Sequence, residues 1–322
     1  MSGGRRVVVD SDCGIDDALA LLYLGARPDT QIVAVASSFG NCAESDAVRN
    51  IGHVLRLLDL KVPVARGATG PLHGDARRRG ETRRSAHGRD GLGDLGFDRP
   101  MPLVADVTAP DLLVELARER PGHLDLLVLG PLTNCARALR AEPALFTKYR
   151  SVTVMGGCGP YAPAPGLPPD TNTAADPAAA RAVAAAPRHN LTMVGLNVTA
   201  TVTAGEEDLA PLRAARTPAA RFAATILTSY LGFYERERGV RAVPLHDPLA
   251  AAVLADPGLE TARIDGPVNV LGDGPDARAW LMRTPGGDPP PVPYDPVPGA
   301  SVVVRADAPV FVRSLVGLLC GA

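Results

Sequence analysis

The chain has 322 residues, 46% of them hydrophobic, and a formal net charge of −2 at pH 7. This length can support one large domain or two ordinary ones, and the near-neutral charge excludes a general attraction to nucleic acid or to an anionic membrane. No apolar run approaches the roughly 18 residues of a membrane span, and the N-terminal MSGGRRVVVD lacks the apolar segment of a secretory signal. The five cysteines are scattered without a C-x-x-C pair, which argues against a disulfide framework. We therefore expect a cytoplasmic protein.

Short β-branched runs alternate with Ala- and Leu-rich amphipathic stretches along the chain. In order, RRVVVD precedes DDALALLYLGA, QIVAVAS precedes ESDAVRNIGHVLRLL, and HLDLLVLG precedes LTNCARAL; SVTVMGG is followed, after a loop, by DPAAARAVAAA and then LTMVGLNV. The strands are apolar along their whole length, as in a sheet that is buried on both faces. The pattern predicts an α/β fold with an open, mostly parallel sheet and helices on both faces.

Three stretches have the composition of long loops, at 67–100, 157–170 and 285–299. Long loops in a compact α/β domain are often functional. The Pro-rich loop at 285–299 is followed only by a strand and a final helix, which is too little chain for a second domain. We predict a single domain over residues 1–322.

Four carboxylates crowd the end of the first predicted strand and the start of the helix after it. In VVVDSDCGIDDALAL they are Asp10, Asp12, Asp16 and Asp17. Ligands bind beyond the carboxyl ends of the strands in an open parallel sheet. A helix dipole stabilises an acid in its first turn by only about 0.3–1 kcal/mol, and repulsion among the carboxylates offsets that gain. A divalent cation would remove the conflict. Oxygen ligands without a Cys or His pair indicate Ca²⁺ or Mg²⁺, and a flexible many-oxygen site favours Ca²⁺.

Other polar or ligating residues follow the later strands. They are Asn41 after the second strand, Thr133 and Asn134 in GPLTN, Met155 in VMGG, Asp170 and Asn172 in DTN, and His246 and Asp247 in HDPLAAA. Each of them, taken alone, also fits an ordinary turn or helix cap. The Asp176–Pro177 pair fits a cap followed by proline at the first helical position, and we interpret it as structural.

Taken together, these blocks resemble a known family. VVVDSDCGIDDALAL, GPLTN, VMGG, DTNTAADPAAA and HDPLAAA are similar, in the same order, to blocks of the inosine–uridine-preferring nucleoside hydrolases, from about residue 6 to about residue 255. The resemblance implies a Ca²⁺-dependent enzyme that hydrolyses the N-glycosidic bond of a ribonucleoside to ribose and free base. It also implies a homo-oligomer, a dimer or a tetramer, with a small nucleoside-like molecule as its substrate.

The resemblance assigns a metal centre to particular residues. Asp12 looks like the metal-bound general base, and Asp17 and Asp247 look like further carboxylate ligands. Thr133 would bind the ion through its backbone carbonyl, and Asp10 would support the turn. Such an ion can orient a water molecule and lower its pKa, so that one carboxylate can take the proton. General base catalysis of this kind typically contributes about 10²–10⁴-fold.

The resemblance also assigns residues to the substrate. Asp16, Asn41 and Asn172 would hold sugar hydroxyls, and Met155 would line the sugar pocket. Carboxylates near the sugar stabilise the positive charge that develops in an oxocarbenium-like transition state. His246 would assist departure of the base, and an unperturbed histidine pKa suits that task.

Two positions depart from the family pattern. Cys13 replaces a proline, and the stretch GCGPYAPAPGLPPDTN has no asparagine before Asn172 and has Asp170 where the family has glutamate. The missing groups would contact the sugar 5′-hydroxyl. The sequence therefore predicts an atypical 5′ pocket, with a 5′-modified nucleoside or a nucleotide as an alternative substrate.

The loop at 67–100 carries further candidates. Its arginines could bind a 5′-phosphate if the loop folds over the site, although a solvated loop is the alternative; they are Arg77, Arg78, Arg79, Arg83, Arg84 and Arg89. His73 and His87 could approach the leaving base, or could lie at the surface. Tyr230, Phe233 and Tyr234 could stack on the base, or could simply pack in the fold.

Two other functions are compatible with parts of the sequence pattern. A phosphatase of the haloacid dehalogenase type also begins with D-x-D after a strand. That class needs Thr or Val at the position of Gly14 and a later lysine, whereas the only lysines are Lys61 and Lys148. A non-catalytic nucleoside-binding homologue is the second rival. An Asp12→Ala substitution would separate it from an enzyme, because a binder has no turnover to lose.

Overall fold

A computed structural model describes residues 4–74, 85–160, 169–272, 277–281 and 299–321. It confirms the predicted α/β class. The strands are β1 (Arg5–Ser11), β2 (Thr30–Ser37), β3 (Val64–Ala65), β4 (Asp125–Val128), β5 (Ser151–Met155), β6 (Leu191–Val194), β7 (Thr203–Gly205), β8 (Ala242–Pro244), β9 (Glu260–Leu271), β10 (Arg278–Leu281) and β11 (Gly299–Ala306). The helices are α1 (Ile15–Ala26), α2 (Glu44–Leu57), α3 (Ala109–Glu119), α4 (Thr133–Ala141), α5 (Leu145–Lys148), α6 (Thr171–Ala175), α7 (Pro177–Ala185), α8 (Leu196–Thr199), α9 (Glu206–Ala214), α10 (Pro218–Arg238), α11 (His246–Ala255) and α12 (Ala308–Cys320), with a 3₁₀ turn at Pro257–Leu259.

Within the described ranges, nine strands form one sheet in the order β10-β9-β11-β6-β5-β4-β1-β2-β3. The neighbours from β11 to β3 are parallel, whereas β9 is antiparallel to both β11 and β10. Strands β7 and β8 form a separate antiparallel pair. The sheet is therefore open and mostly parallel, as predicted. The C-terminal β11 joins it beside β6, while the single-domain assignment stays a prediction.

Two hydrophobic cores cover the two faces of the sheet. Val7 and Val9 of β1 belong to one core, and Val8 belongs to the other. All three side chains are fully buried, which explains why the strand is apolar at consecutive positions. The same alternation occurs in β4, where Leu127 faces the first core and Leu126 the second.

Two buried helices bring the predicted site together. Residues 15–24 of α1 are buried, and so is most of α11. A helix that is apolar around most of its circumference needs neighbours on all sides, and α1 and α11 pack against each other. Their packing places two acidic first turns in the same region, although they are separated by more than 200 residues of chain. Among the described helices, none has both the length and the apolarity to span a bilayer.

Candidate active site

Carboxylates from the two buried helices meet at the carboxyl edge of the sheet. Oxygens of Asp16, Asp17 and Asp247 all lie within 4.8 Å of one another, and the three residues are buried. Asn41 links Asp12 to this group, because its Nδ2 lies 3.2 Å from Asp12 Oδ1 and 3.1 Å from Asp17 Oδ2. The structure thus brings together five of the residues that the sequence predicted for the site.

Asp12, Asp16, Asp17 and Asp247 have no cationic partner in the part of the chain that the structure describes. Burial and then repulsion from Asp17 raise the pKa of Asp12, and they raise that of Asp16 to about 8. Burial and neighbouring carboxylates also raise the pKa of Asp247. Among the described residues, no Arg or Lys forms an ion pair with any of the four, and Asp16 Oδ1 is buried without a hydrogen-bond partner. A buried set of like charges is stable only if it binds protons or a cation.

Two glycines, Gly40 and Gly130, leave the space that the Asp12 side chain occupies. A Cβ atom at Gly40 would lie 1.8 Å from Asp12 Oδ2, and Gly40 has a φ of +155°. A Cβ atom at Gly130 would lie 3.2 Å from Asp12 Cβ. The backbone can approach the carboxylate only because no side chain stands there. Asp12 Oδ2 accepts a hydrogen bond from the Asn41 amide at 2.7 Å. The role of Gly40 was not predictable from the sequence, where its only signal is the Gly–Asn pair after β2.

The turn before α1 orients Asp17. Ser11 Oγ donates to Asp17 Oδ1 at 2.6 Å, and the Gly14 amide donates to Asp17 Oδ2 at 3.0 Å. The Cys13 amide donates to Ser11 Oγ at 3.0 Å, and Cys13 has a φ of +39°. A proline has no N–H and cannot adopt this φ, so a proline at this position could not form the turn that Cys13 makes. Burial raises the pKa of the Cys13 thiol. Such a thiol is poorly suited to a redox role.

Asp10 lies apart from the other acids. Its Oδ1 accepts from Asn134 Nδ2 at 2.9 Å, and its Oδ2 lies 3.8 Å from Cys135 Sγ. The amide of Asn134 also donates to the Ser37 carbonyl at 2.9 Å and accepts from the Ala68 amide at 2.8 Å. Burial raises the pKa of Asp10 to about 7. These contacts join three strand ends, which is the supporting role expected of Asp10.

Thr133 is tied to the predicted helix cap. Thr133 Oγ1 donates to Asp176 Oδ2 at 2.7 Å, and Asp176 Oδ1 accepts from the Ala179 amide at 3.0 Å. The structural interpretation of Asp176 is confirmed. Because its hydroxyl is engaged, Thr133 has its backbone carbonyl left as the group to offer a ligand, and its metal role stays a prediction.

Three of the residues predicted for the substrate, Met155, Asp170 and Asn172, lie around the end of β5, whereas Asp16 and Asn41 lie with the carboxylate group described above. Asn172 Nδ2 donates to the carbonyls of Leu129 at 2.5 Å and Met155 at 3.1 Å, and it lies 3.6 Å from Met155 Sδ. Asp170 Oδ1 caps α6 by accepting from the Thr173 amide at 2.8 Å, whereas its Oδ2 is buried and has no hydrogen-bond partner within the described ranges. Burial raises the pKa of Asp170. Residues 161–168 of the predicted 5′ loop lie outside the described residues.

Two histidines stand at the site. His246 Nδ1 lies 2.7 Å from the Thr199 hydroxyl, and burial lowers the pKa of His246 to about 4. The expectation of an unperturbed His246 pKa is therefore wrong. His87 is also in place, because its Nδ1 accepts from the Ile15 amide at 3.1 Å and lies 3.7 Å from Asp16 Oδ1. Burial lowers the pKa of His87 to about 4.

The remaining candidates from the loop at 67–100 are either exposed or outside the described residues. His73 is exposed, as its surface interpretation requires. Arg89 has a side chain that is 95% exposed and lies 3.9 Å from Asp94, so it is solvated. The other five candidate arginines, at 77, 78, 79, 83 and 84, lie outside the described residues.

Of the aromatics, Tyr230 is buried, with its ring centroid 5.5 Å from that of His87 and 5.2 Å from that of Tyr234. Phe233 packs against Tyr234 at 5.9 Å. Tyr230 therefore lies beside His87 and Tyr234 packs against Tyr230, and stacking of either tyrosine ring on a base stays a prediction.

Comparisons with known proteins agree on one family. A sequence model described as inosine-uridine preferring nucleoside hydrolase matches residues 7–313. A probable uridine nucleosidase 2 from Oryza sativa subsp. japonica is 33% identical over 259 residues, which cover 79% of this chain and 74% of that protein. A pyrimidine-specific ribonucleoside hydrolase RihA from Citrobacter koseri is 33% identical over 262 residues, covering 79% of this chain and 80% of that protein.

Solved structures give the same result for the fold. A plant nucleoside hydrolase, PpNRh1, has a TM-score of 0.87 at 26% identity, covering 99% of both chains. A purine-preferring ribonucleoside hydrolase from Gardnerella vaginalis has a TM-score of 0.85 at 26% identity, covering 98% of both chains. The names of these similar proteins include uridine, pyrimidine and purine nucleosides, so they do not fix a base preference.

Proposed function

This chain belongs to the inosine-uridine preferring nucleoside hydrolase family, and we propose that it hydrolyses the N-glycosidic bond of ribonucleosides in a reaction that depends on Ca²⁺. The observation that carries the calcium proposal is the buried group of carboxylates, with which no Arg or Lys among the described residues forms an ion pair. All the charged donors are oxygens, which suits a hard cation, and several carboxylates in a flexible arrangement favour Ca²⁺ over Mg²⁺. Asp12, Asp17, Asp247 and the Thr133 carbonyl would hold it. A bound Ca²⁺ would orient a water and the sugar diol and lower the pKa of that water.

Asp12 serves as the general base in this proposal. Its two oxygens accept hydrogen bonds from the backbone amide and the side-chain amide of Asn41, at 2.7 and 3.2 Å. These two contacts, with the close approach of Gly40, fix the direction of the carboxylate. Asp12 takes one proton from water as the water oxygen forms its bond to the anomeric carbon. A positioned base of this kind contributes about 10²–10⁴-fold.

The sugar is held by polar atoms that the fold leaves available. Asp16 Oδ1 has no hydrogen-bond donor among the described residues and can accept from a sugar hydroxyl. Both hydrogens of Asn172 Nδ2 are used by backbone carbonyls, so Asn172 contributes its Oδ1 as an acceptor. Met155 forms an apolar wall beside Asn172. The acidic surroundings also stabilise the positive charge that develops at the anomeric carbon.

His246 assists departure of the base. With its pKa lowered to about 4, it is neutral near pH 7 and acts as an N–H donor, not as a charged acid. A neutral imidazole can stabilise developing negative charge by hydrogen bonding when it is held in the right tautomer. His87 is close enough to contribute to the lowered pKa of His246, and Tyr230 packs against His87. We expect these rings to border the region where the base would leave.

The 5′ end of the sugar meets an atypical pocket. Asp170 is one methylene shorter than the glutamate it replaces, and one of its oxygens is occupied as the cap of α6. Only the buried Oδ2 remains for a substrate group. We expect poor turnover of ordinary ribonucleosides relative to nucleosides with a 5′ substituent that reaches this oxygen.

A substrate panel tests the proposal. Uridine, cytidine, inosine, their 5′-deoxy and 5′-amino analogues and their 5′-monophosphates would be assayed for free base, with EGTA and after return of Ca²⁺ or Mg²⁺. We expect base release that EGTA abolishes and that Ca²⁺ restores better than Mg²⁺. Release that EGTA leaves unchanged contradicts the calcium proposal, and inosine or uridine turning over best contradicts the 5′ proposal. Predictions that the protein is a dimer or tetramer and is cytoplasmic remain open to sizing and localisation experiments.

A further inference from the structure

A buried threonine contacts the histidine assigned to the leaving base. Thr199 ends the short helix α8, after β6, and its side chain has no exposed surface. Its Oγ1 lies 2.7 Å from His246 Nδ1, a normal hydrogen-bond distance. The two residues are 47 positions apart in the chain, so the contact is made by the fold.

The direction of this hydrogen bond follows from the available partners. Among the described residues, the only hydrogen-bond partner of Thr199 Oγ1 is His246. A buried hydroxyl proton needs an acceptor, and Nδ1 is the one within reach. If Nδ1 carried a proton, it would donate to Oγ1 and the hydroxyl proton would be left without an acceptor. The hydroxyl therefore donates, Nδ1 accepts, and the ring proton of neutral His246 is on Nε2.

His87 adopts the same tautomer because of a different hydrogen bond. The backbone amide of Ile15 donates to His87 Nδ1 at 3.1 Å, and an amide can only donate. Neutral His87 therefore also has its proton on Nε2. The main chain fixes the tautomer of His87, whereas a replaceable side chain fixes that of His246.

We propose that Thr199 is a positioning residue that holds His246 in the Nε2–H tautomer, so that the ring donates a hydrogen bond to the departing base. This inference rests on the proposed role of His246. In the reaction, the bond from the anomeric carbon to the base nitrogen breaks and its electron pair stays on the base. The water oxygen bonds to the anomeric carbon and its proton goes to Asp12. His246 retains its Nε2 proton in the hydrogen bond, and the base takes a proton from solvent after release.

Substitutions at Thr199 distinguish the effect of its hydroxyl from the effect of its side-chain shape. Thr199→Val removes the hydroxyl and keeps the branched shape, and Thr199→Ser keeps the hydroxyl. Thr201→Val is the matched control, because Thr201 Oγ1 donates to the Val198 carbonyl at 2.7 Å in the same segment. Thr199→Ala provides a second hydroxyl-free variant if valine does not fold.

Nitrogen-15 NMR of the histidine rings determines the tautomer of His246 independently of any enzymatic activity. The chain has six histidines, so the His246 signals can be assigned by their loss in a His246→Gln variant. We expect an unprotonated Nδ1 and a protonated Nε2 for His246 in the native protein, in Thr199→Ser and in Thr201→Val. In Thr199→Val we expect a mixture of both tautomers. An unchanged tautomer in Thr199→Val and in Thr199→Ala overturns the proposal.

The effect of the Thr199 hydroxyl on catalysis is measured by comparing kcat for two substrates that differ in their leaving group. On uridine or inosine, Thr199→Val should lower kcat by about 10- to 100-fold, at or below the low end of the range for general acid–base catalysis, because His246 shares its proton in a hydrogen bond and does not transfer it. Thr199→Ser should recover most of this loss. On p-nitrophenyl riboside, whose leaving group departs without such help, kcat should change by less than about 3-fold, because general acid assistance matters little there. Equal losses on both substrates would mean a merely structural role. If the native protein hydrolyses nothing, the proposed function fails, while the NMR result still tests Thr199.

Discussion

The two edges of the central sheet treat buried carboxylates in opposite ways. At the amino edge, Asp125 begins β4 and is fully buried, but Arg5 lies 3.3 Å away and Arg150 binds both of its oxygens. Ser151 Oγ adds a hydrogen bond at 2.7 Å. At the carboxyl edge, the carboxylates near Asp17 have no Arg or Lys partner among the described residues.

This difference between the two edges distinguishes carboxylates that stabilise the fold from carboxylates that we assign to the active site. Where a buried carboxylate stabilises the fold, the chain supplies its own cations, because an unpaired buried charge is strongly destabilising. At the carboxyl edge the carboxylates have no cationic partner among the described residues, and we propose that a bound cation supplies the counter-charge. Substitutions at the two edges should therefore have opposite effects on activity and stability.

The largest effect is expected from Asp12→Asn. The substitution removes the general base while keeping the side-chain volume, so kcat for a ribonucleoside substrate should fall by about 10²–10⁴-fold. It also reduces charge repulsion, so the melting temperature of the cation-free protein should not fall. Kinetics and thermal denaturation on the same preparation check both statements. Retained turnover would show that another group takes the proton.

Calcium binding should have the next largest effect. A ligand at 100 times its Kd stabilises the folded state by about 2.7 kcal/mol, so Ca²⁺ added after EGTA treatment should raise the melting temperature by several degrees. The shift should disappear in Asp17→Asn and in Asp247→Asn. The matched control is Asp125→Asn, a buried carboxylate at the other edge, which should keep the shift. A calcium-induced shift that persists in both site variants would place the ion elsewhere.

The Asp125→Asn substitution should mainly affect stability. It removes charged hydrogen bonds to Arg5 and Arg150, whose side chains are partly exposed, so we expect a loss of about 1–3 kcal/mol in the free energy of unfolding. Urea denaturation measures it. Because Asp125 lies at the opposite edge from the site, kcat of the folded fraction should stay within about 2-fold of the native value. A large loss of kcat would show that the two edges are coupled.

The contrast also explains what the sequence could predict. Asp12 and Asp17 were predictable, because they follow β1, whose carboxyl end lies at the ligand-binding edge of a parallel sheet. Asp247 was assigned only through the family resemblance, since β8, which precedes it, belongs to the separate antiparallel pair. The ion pairs of Asp125 were not, because Arg5 is 120 positions away and nothing local marks it as a partner. For the same reason the burial that lowers the pKa of His246 was missed, since it comes from elements distant in the chain.

The loop and helix contacts were equally hidden. His87 follows a long loop, and sequence spacing cannot decide whether such a loop returns to the site. Thr199 lies in a four-residue helix and resembles any other threonine in the chain. Its hydrogen bond to His246 depends on the packing of α8 against α11, which only the assembled fold reveals.

The smallest effect is expected at Asp170, which combines both kinds of carboxylate in one residue. Its Oδ1 stabilises the fold by capping α6, and its Oδ2 is buried and unpaired, like the oxygens of the site. Asp170→Glu extends the side chain by one methylene toward the family's arrangement. A hydrogen bond to a sugar 5′-hydroxyl is worth about 0.5–1.5 kcal/mol, so kcat/KM for inosine or uridine should rise by about 2- to 10-fold.

The same substitution should weaken the helix cap, at about 0.5–2 kcal/mol of stability. A rise in kcat/KM together with a lower melting temperature would show that the two oxygens have separate roles. The 5′-deoxy analogue is the control substrate, because it cannot form the new hydrogen bond and its kcat/KM should not improve. An equal improvement for that analogue would mean that the glutamate acts away from the 5′ end. In that case the unpaired oxygen of Asp170 would belong with the structural carboxylates, and the contrast between the edges would not extend to the sugar pocket.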